Sequence, residues 1–151
     1  MKIVTMDPAD ARVRVLLEQS DAYMATLYPP QSNHMEDVEA LRKRNVFFVG
    51  ACIDADIAGC GAVKTMRDDG VYGEIKRVFV APEYRGRGIS RAIMEALEHH
   101  LIEQGVPLSR LEMGARQPEA LGLYRRLGYQ ERPPFGKYQV DPQSLFMEKR
   151  L

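Results

Sequence analysis

The apolar residues that begin the chain predict a strand followed by two helices. Ile3 to Thr5 forms the short strand, and Asp7 with Pro8 is typical of the N-cap and first turn of a helix. Pro29 and Pro30 must end that helix, since proline cannot continue it. Its apolar stripe is Val13, Leu16, Leu17, Met24 and Leu27. A second, shorter helix is indicated by Met35, Val38 and Leu41.

The middle of the chain, from Val46 to Val80, is rich in β-branched and aromatic residues, which favour strands. Two turn signals divide it, at Asp54-Ala55-Asp56 and Asp68-Asp69-Gly70, so three antiparallel strands are predicted. Cys52 and Cys60 fall in these strands with no His or Cys at metal-ligand spacing. We therefore expect both cysteines to be small buried side chains.

The last third alternates between helical and strand patterns. The predicted elements are a helix from Arg87-Gly88 to about Gln104, a strand from Leu108 to Gly114, a helix from Pro118 to Gly128 and a strand from Leu145 to Lys149. This order of elements predicts one mixed α/β domain over residues 1–151. Ligands in such sheets often bind where strands separate or their order reverses.

Composition and charge narrow the functional classes. Lys plus Arg and Asp plus Glu both total 21, so no overall field favours nucleic acid or an anionic membrane as partner. No apolar run approaches the roughly 20 residues of a membrane span. The residues Met1 to Thr5 lack the apolar core of a signal peptide, so we expect a cytoplasmic protein.

A glycine-rich turn between a strand and a helix, Val78 to Ser90, is the strongest chemical signal. Gly86 and Gly88 allow the backbone to approach an anion, and the helix N-terminus offers unpaired N–H groups. The segment lacks the three early glycines of a dinucleotide fingerprint and the Gly-Lys-Ser/Thr of a P-loop. An ordinary solvent-exposed turn is the alternative interpretation. Three arginines can add charge-assisted hydrogen bonds, Arg85, Arg87 and Arg91.

This segment resembles the pyrophosphate-binding motif of the GNAT superfamily of N-acetyltransferases, Arg-x-x-Gly-x-Gly/Ala. It departs from the motif only at Ser90, where the family usually has Gly or Ala. Leu123 to Tyr129 resembles the family's downstream Leu-Tyr-x-x-x-Gly-Phe/Tyr segment, and the resemblance runs from about Val46 to the C-terminus. It implies a GNAT-like fold, a mixed and mostly antiparallel twisted sheet flanked by helices. It also implies acetyl-CoA as co-substrate and direct attack by an amine in a ternary complex.

The resemblance further implies which residues bind acetyl-CoA. The backbone of the strand before the turn holds the pantetheine arm, and the Val80 amide is the expected donor to the acetyl oxygen. Gln117 matches a family position that is often Asn, although it could equally be a helix cap. The implied binding residues are Val78, Phe79, Val80, Arg85, Gly86, Arg87, Gly88, Ile89, Ser90 and Gln117.

Three residues are candidates for the chemistry. Tyr124 matches the family tyrosine near the CoA sulfur and would protonate the leaving thiolate, unless it is simply a core tyrosine. A protonated amine needs a base, for which Glu74 is preferred and Glu112 is the alternative. Each carboxylate could instead be solvated or paired with a strand cation, Lys76, Arg77 or Arg110.

The acceptor is expected to be a small-molecule or peptide amine, whose identity the sequence does not fix. Tyr23, Tyr28 and His34 are candidates to line its path, and the aromatic loop Pro133 to Tyr138 could border it. The family's habit of pairing favours a homodimer, and His99-His100 suggests no metal site. The alternative function is a CoA-binding sensor or scaffold domain without turnover.

Overall fold

One seven-stranded sheet runs through the protein, whose computed structural model describes residues 1–151. The strands are β1 (Lys2–Thr5), β2 (Val46–Ile53), β3 (Asp56–Met66), β4 (Tyr72–Val80), β5 (Leu108–Gly114), β6 (Gln130–Arg132) and β7 (Ser144–Arg150). They lie in the order β1-β2-β3-β4-β5-β7-β6. Every neighbouring pair is antiparallel except β4 and β5, which are parallel.

Four helices accompany the sheet: α1 (Ala11–Leu27), α2 (Val38–Leu41), α3 (Ile89–Glu103) and α4 (Pro118–Arg126). The predicted α/β fold with a mixed, mostly antiparallel sheet is confirmed. No helix has both the length and the apolar character that crossing a membrane requires.

The core has a large part under α3 and a smaller part under α1. Ile93, Leu97 and Leu101 are wholly buried against the sheet. The close approach of α3 depends on Gly61, where a Cβ atom would lie 2.6 Å from Cγ2 of Ile93. On the other side, α1 packs against a cluster that includes Cys60. The pairing of apolar helix stripes with apolar strands therefore sets the two layers.

The structure corrects three details of the predicted elements. The N-cap of α1 is Asp10, whose side chain accepts the backbone N–H of Arg12, and Asp7 instead accepts that of Ala9 in the preceding turn. Met35 lies outside α2. Cys60 is buried as expected, but Cys52 is only partly buried. The sequence pattern also did not place β6, because this short and mostly exposed strand is defined by its pairing with β7.

Candidate active site

The parallel strands β4 and β5 separate along their length. They pair only from Gly73 and Ser109 to Ile75 and Leu111, although β4 continues to Val80 and β5 to Gly114. A cavity of about 510 Å³ occupies the gap that this leaves. Where the strands separate, the backbone N–H and C=O groups that face the gap have no hydrogen-bond partner in a neighbouring strand. A ligand in the cavity can bond to these groups.

A β-bulge in β4 accompanies the separation. The pairing with β3 shifts between Cys60 and Ala62, and Arg77 adopts a left-handed φ of 59° within the extra stretch. The guanidinium of Arg77 is held under α1, where Nη1 donates to Asp21 at 2.7 Å and Nη2 donates to the Leu17 carbonyl at 3.0 Å. The local sequence pattern did not predict this bulge. The bulge turns the last residues of β4 towards the cavity.

The backbone N–H of Val80 points away from β3 and towards the gap. Ala81 donates its N–H to the carbonyl of Ala58 at 2.8 Å, so this antiparallel pair is hydrogen-bonded. The preceding pair, Gly59 with Val80, is then a non-hydrogen-bonded pair whose backbone groups face outward. The carbonyl of Val80 agrees with this direction, since it accepts Nε of Arg85 at 3.1 Å.

The turn that follows β4 leaves the N-terminus of α3 uncapped. Gly86 and Gly88 have φ values of 80° and 75°, and Gly88 is the N-cap residue, so no side chain bonds the first N–H groups of the helix. No heavy atom lies within 4 Å of a Cβ built at either glycine. The N–H groups and the positive end of the helix dipole are therefore free to receive an anion.

The turn and helix start from Arg85 to Ser90, which we call the cradle, contain two residues whose side chains do not line the cavity. The Ile89 side chain is 2% exposed and belongs to the core, so only its backbone can serve a ligand. The guanidinium of Arg87 lies over the ring of Tyr84 at 5.3 Å, and Arg87 does not line the cavity. Arg85 does line it.

Tyr124 reaches the same cavity from α4. Its ring is buried, and burial raises the pKa of its phenol to about 12. No protein group hydrogen-bonds the hydroxyl, so it is able to bond to a ligand in the cavity. The sequence left a core tyrosine and a site tyrosine as alternatives, and the side chain combines a buried ring with an unpaired hydroxyl at the cavity.

Glu112 lines this cavity from β5. Burial raises the pKa of its carboxyl, while Ser144 Oγ donates to Oε2 at 2.7 Å and partly opposes that effect. A carboxylate whose pKa is raised binds a proton more tightly than a solvated carboxylate, which suits a proton acceptor. Of the two predicted base candidates, Glu112 is the one that lines the same cavity as Tyr124 and the cradle.

Glu74 lies in a neighbouring cavity of about 720 Å³. It is 5% exposed, and its Oε2 accepts hydrogen bonds from Tyr138 at 2.5 Å and from Lys76 at 3.4 Å. Lys76 also donates to the backbone carbonyl of His34 at 2.9 Å. The predicted pairing of Glu74 with a strand cation is thus present, together with a tyrosine that the sequence analysis did not connect to it.

Gln117 borders the first cavity and occupies the N-cap position of α4, but its side chain makes no capping hydrogen bond. Its side-chain oxygen accepts the Tyr28 hydroxyl at 3.3 Å, and the same hydroxyl accepts the backbone N–H of Arg116 at 3.0 Å. Tyr28 therefore supports this loop and does not line the first cavity, whereas Tyr23 and His34 do.

The structure thus brings most of the predicted site residues to one cavity. Those lining it are Val78, Phe79, Val80, Arg85, Gly86, Gly88, Ser90, Glu112, Gln117 and Tyr124. Glu74, Arg87 and Ile89 do not line it. No group of three or more His, Cys, Asp or Glu side chains is placed to hold a metal ion.

Comparison with known proteins identifies the class. The acetyltransferase (GNAT) family model matches residues 14–129, and the chain belongs to this family, which confirms the resemblance seen in the two motifs. An IAA acetyltransferase from Azospirillum brasilense is 40% identical over 149 residues, covering 99% of this chain and 97% of that protein.

Solved structures share the fold. A protein from Klebsiella pneumoniae described as an acyl-CoA N-acyltransferase superposes with a TM-score of 0.82 at 34% identity, covering 99% of this chain and 97% of its own. The PaiA N-acetyltransferase from Thermoplasma acidophilum, solved in complex with coenzyme A, superposes with a TM-score of 0.72 at 17% identity over all of both chains.

Proposed function

We propose that this acetyltransferase moves the acetyl group of acetyl-CoA onto an amine by direct attack in a ternary complex. The observation that carries the proposal is that one cavity joins the uncapped N-terminus of α3 to the unpaired hydroxyl of Tyr124. The first feature suits a pyrophosphate, and the second suits a leaving thiolate. A pantetheine arm between them would lie along the open edge of β4.

The residues present fit acetyl-CoA as co-substrate. No side chain caps the backbone N–H groups at the turn of Gly86 and Gly88, and the space around the two glycines is open. An anion can therefore approach and accept hydrogen bonds from these N–H groups. Arg85 and Ser90 border the same space and can bond phosphate oxygens. The coenzyme A complex of the Thermoplasma PaiA protein supports this choice of ligand.

Acetyl-CoA supplies an activated acyl group, and the chain's own residues stabilise the charges that develop during transfer. The N–H of Val80 is directed to the gap and can donate to the acetyl oxygen as it becomes negative, an interaction worth a few kcal/mol in a dry site. Tyr124 can donate its proton to the sulfur as the carbon–sulfur bond breaks. The high pKa of its phenol keeps that proton in place until then.

Glu112 is the base in this proposal. The nitrogen that forms the new bond must lose a proton, and Glu112 combines a raised pKa with a place in the same cavity as Tyr124. Glu74 has one oxygen committed to Tyr138 and Lys76 and faces the neighbouring cavity. This reverses the preference drawn from the sequence.

A non-catalytic CoA-binding domain is the alternative, and release of free thiol from acetyl-CoA in the presence of an amine panel distinguishes the two. The panel should contain aliphatic amines, amino acids, aminoglycosides and peptides with free N-termini. Thiol release with at least one amine, matched by an acetylated product in mass spectrometry, supports the enzyme. Micromolar acetyl-CoA binding with no thiol release from any member supports the sensor.

A further inference from the structure

We infer that Arg77 is a positioning residue for acetyl transfer, because its side chain joins β4 to the part of α1 that lines the first cavity. Through this connection Arg77 holds the end of β4 in the direction that turns the Val80 N–H towards the gap. This inference rests on the proposed function, since it concerns how the donor to the acetyl oxygen is held. Its support comes from a side chain that bonds none of the residues implied to bind acetyl-CoA.

The backbone and side chain of Arg77 carry two costs that glycine would avoid. Its φ of 59° is left-handed, where a Cβ atom is strained, and one common form of β-bulge has glycine at this position. Its Nε atom is enclosed by the protein and has no hydrogen-bond partner. Strain of this kind persists where surrounding contacts hold the residue in place, and it is characteristic of functional sites. The guanidinium contacts of Arg77 outweigh these costs.

The guanidinium of Arg77 bonds α1 at the point where the buried apolar stripe of the helix stops. The side chain is 3% exposed and donates to Asp21 at 2.7 Å and to the Leu17 carbonyl at 3.0 Å, two hydrogen bonds that we call the α1 bridge. Leu17 is the last apolar residue that α1 buries, and beyond it only Ser20 is buried before the helix ends at Leu27. The α1 bridge therefore sets the distance between the second half of α1 and β4.

Both ends of the α1 bridge adjoin residues that line the first cavity. Asp21 does not line this cavity itself, and its side chain is 57% exposed. Arg77 is half-buried although its side chain is almost wholly enclosed, so its backbone is the part that faces the cavity. The lining residues next to the bridge are Ser20, Tyr23 and Met24 on α1 and Val78, Phe79 and Val80 on β4. The α1 bridge thus connects the wall formed by α1 to the strand that carries the Val80 donor.

Acetyl transfer depends on this spacing more than binding does. Val80 lies on β4 directly after the bulge, so a displaced bulge turns or shifts its N–H relative to the acetyl oxygen. A misplacement of about 1 Å at a reacting group costs about 100-fold in rate. The phosphates are expected at the cradle, which begins α3 and is separate from the α1 bridge. Loss of the bridge should therefore lower the rate of transfer and leave the affinity for acetyl-CoA nearly unchanged.

NMR amide spectra of isotope-labelled protein, saturated with acetyl-CoA or with CoA, test the inference without an acceptor amine. In wild type the Val80 amide resonance should differ between the two complexes, because only acetyl-CoA provides an acetyl oxygen. Asp21→Ala should remove most of this difference, while its calorimetric Kd for acetyl-CoA stays within severalfold of wild type. Glu18→Ala removes an exposed carboxylate of the same helix that lies outside the bridge, so this control should keep the wild-type difference.

Kinetics with the panel amine that releases thiol fastest provide the second measurement. Asp21→Ala and Arg77→Gly should each lower kcat at least about tenfold and leave KM for acetyl-CoA within severalfold of wild type. Glycine is chosen because it adopts the left-handed φ without strain, so only the side chain is lost. The double variant should be no slower than the single variants, because the bridge is already absent from each. Asp21→Asn keeps an oxygen acceptor and should recover most of the lost kcat.

The outcomes separate this inference from the proposed function. If wild-type protein does not bind acetyl-CoA, the proposed function is lost. If it binds acetyl-CoA but Asp21→Ala keeps the wild-type kcat and Val80 difference, only the role of Arg77 is overturned, and the same follows if wild type shows no Val80 difference. A lower melting temperature of Asp21→Ala with unchanged kcat would assign the bridge to stability alone. Asp21→Ala decides the question by itself if Arg77→Gly does not fold, because Asp21 is an exposed helical residue.

Discussion

Tyr124 and Tyr129 lie edge to face, with ring centroids 5.9 Å apart and an interplanar angle of 64°, yet only one of the two hydroxyls is used by the protein. The Tyr129 hydroxyl donates to Glu98 at 2.9 Å and shares a 2.6 Å hydrogen bond with Ser109. The Tyr124 hydroxyl has no protein partner. Two neighbouring buried tyrosines thus differ in role. The Tyr129 hydroxyl links Glu98 to Ser109, whereas the Tyr124 hydroxyl faces the cavity.

Tyr124→Phe should impair catalysis without weakening the fold. The substitution removes a hydroxyl that no protein group uses, so the melting temperature should stay near that of wild type. Loss of the proton donor should lower kcat about 100-fold while KM for acetyl-CoA changes little. Thiol-release kinetics and thermal unfolding measure the two effects. An unchanged kcat would return Tyr124 to a core role.

Tyr129→Phe is the matched comparison and should behave in the opposite way. It leaves Ser109 and one oxygen of Glu98 without their partner, although Lys149 still bonds the other oxygen at 2.6 Å. We expect a loss of about 1–3 kcal/mol in unfolding free energy, measured by urea denaturation. The kcat of the folded variant should stay within severalfold of wild type, and a collapse equal to that of Tyr124→Phe would contradict the assignment.

Glu112→Gln should reduce activity and change how stability depends on pH. Because burial raises the pKa of Glu112 in the folded state, the native protein binds this proton more tightly than the unfolded chain does. Its contribution to stability is therefore full below the ordinary carboxyl pKa and is lost as pH rises through the raised value. The melting temperature of Glu112→Gln minus that of wild type should therefore be more positive at pH 7.5 than at pH 4.

The activity of the same variant provides the second measurement. The kcat/KM of wild type should fall as pH decreases through the pKa of Glu112, because the base becomes protonated. Glu112→Gln should lose about two orders of magnitude at neutral pH and should no longer show this acidic limb. An acidic limb that persists in Glu112→Gln and disappears in Glu74→Gln would make Glu74 the base.

Two glycines near α4 should respond in opposite directions to alanine. A Cβ at Gly114 would overlap the ring of Tyr28, which supports the loop carrying Gln117. Gly114→Ala should therefore cost about 1–3 kcal/mol and raise KM for acetyl-CoA. Gly122 lies within α4, where a Cβ would meet only the flexible end of Arg126 at 3.2 Å. Gly122→Ala should be neutral or stabilise by up to about 1 kcal/mol.

Sequence pattern was enough to predict the elements that form the cradle. The apolar period of α3 and the glycines before it are local signals, and they gave the strand, turn and helix that the structure contains. The bulge at Arg77 was not predictable, because it is fixed by contacts with α1. The Glu74–Tyr138 hydrogen bond joins residues 64 positions apart, so only the fold could show it. The N-cap was misplaced by three residues, since both Asp7 and Asp10 are good capping residues and their local partners decide between them.

Two sequence-based predictions concern the protein outside its site. One is the cytoplasmic location, and the other is the homodimer expected from the habit of the family. Both stay predictions. Size-exclusion chromatography with light scattering would measure the second, with twice the mass of one chain as the expected result.

The central claim is tested most directly by titrating acetyl-CoA into wild type, Gly88→Glu and Gly105→Glu in a calorimeter. Gly88 and Gly105 are matched, because both have left-handed φ values near 70° and open space around a built Cβ. Either glutamate should add similar backbone strain, because both positions have a left-handed φ. The two positions flank opposite ends of α3, so only the glutamate at position 88 puts a carboxylate in the cradle. We predict micromolar binding by wild type and Gly105→Glu and none by Gly88→Glu. Equal binding by both variants, or no binding by wild type, would contradict the assignment of the cradle to the pyrophosphate of acetyl-CoA.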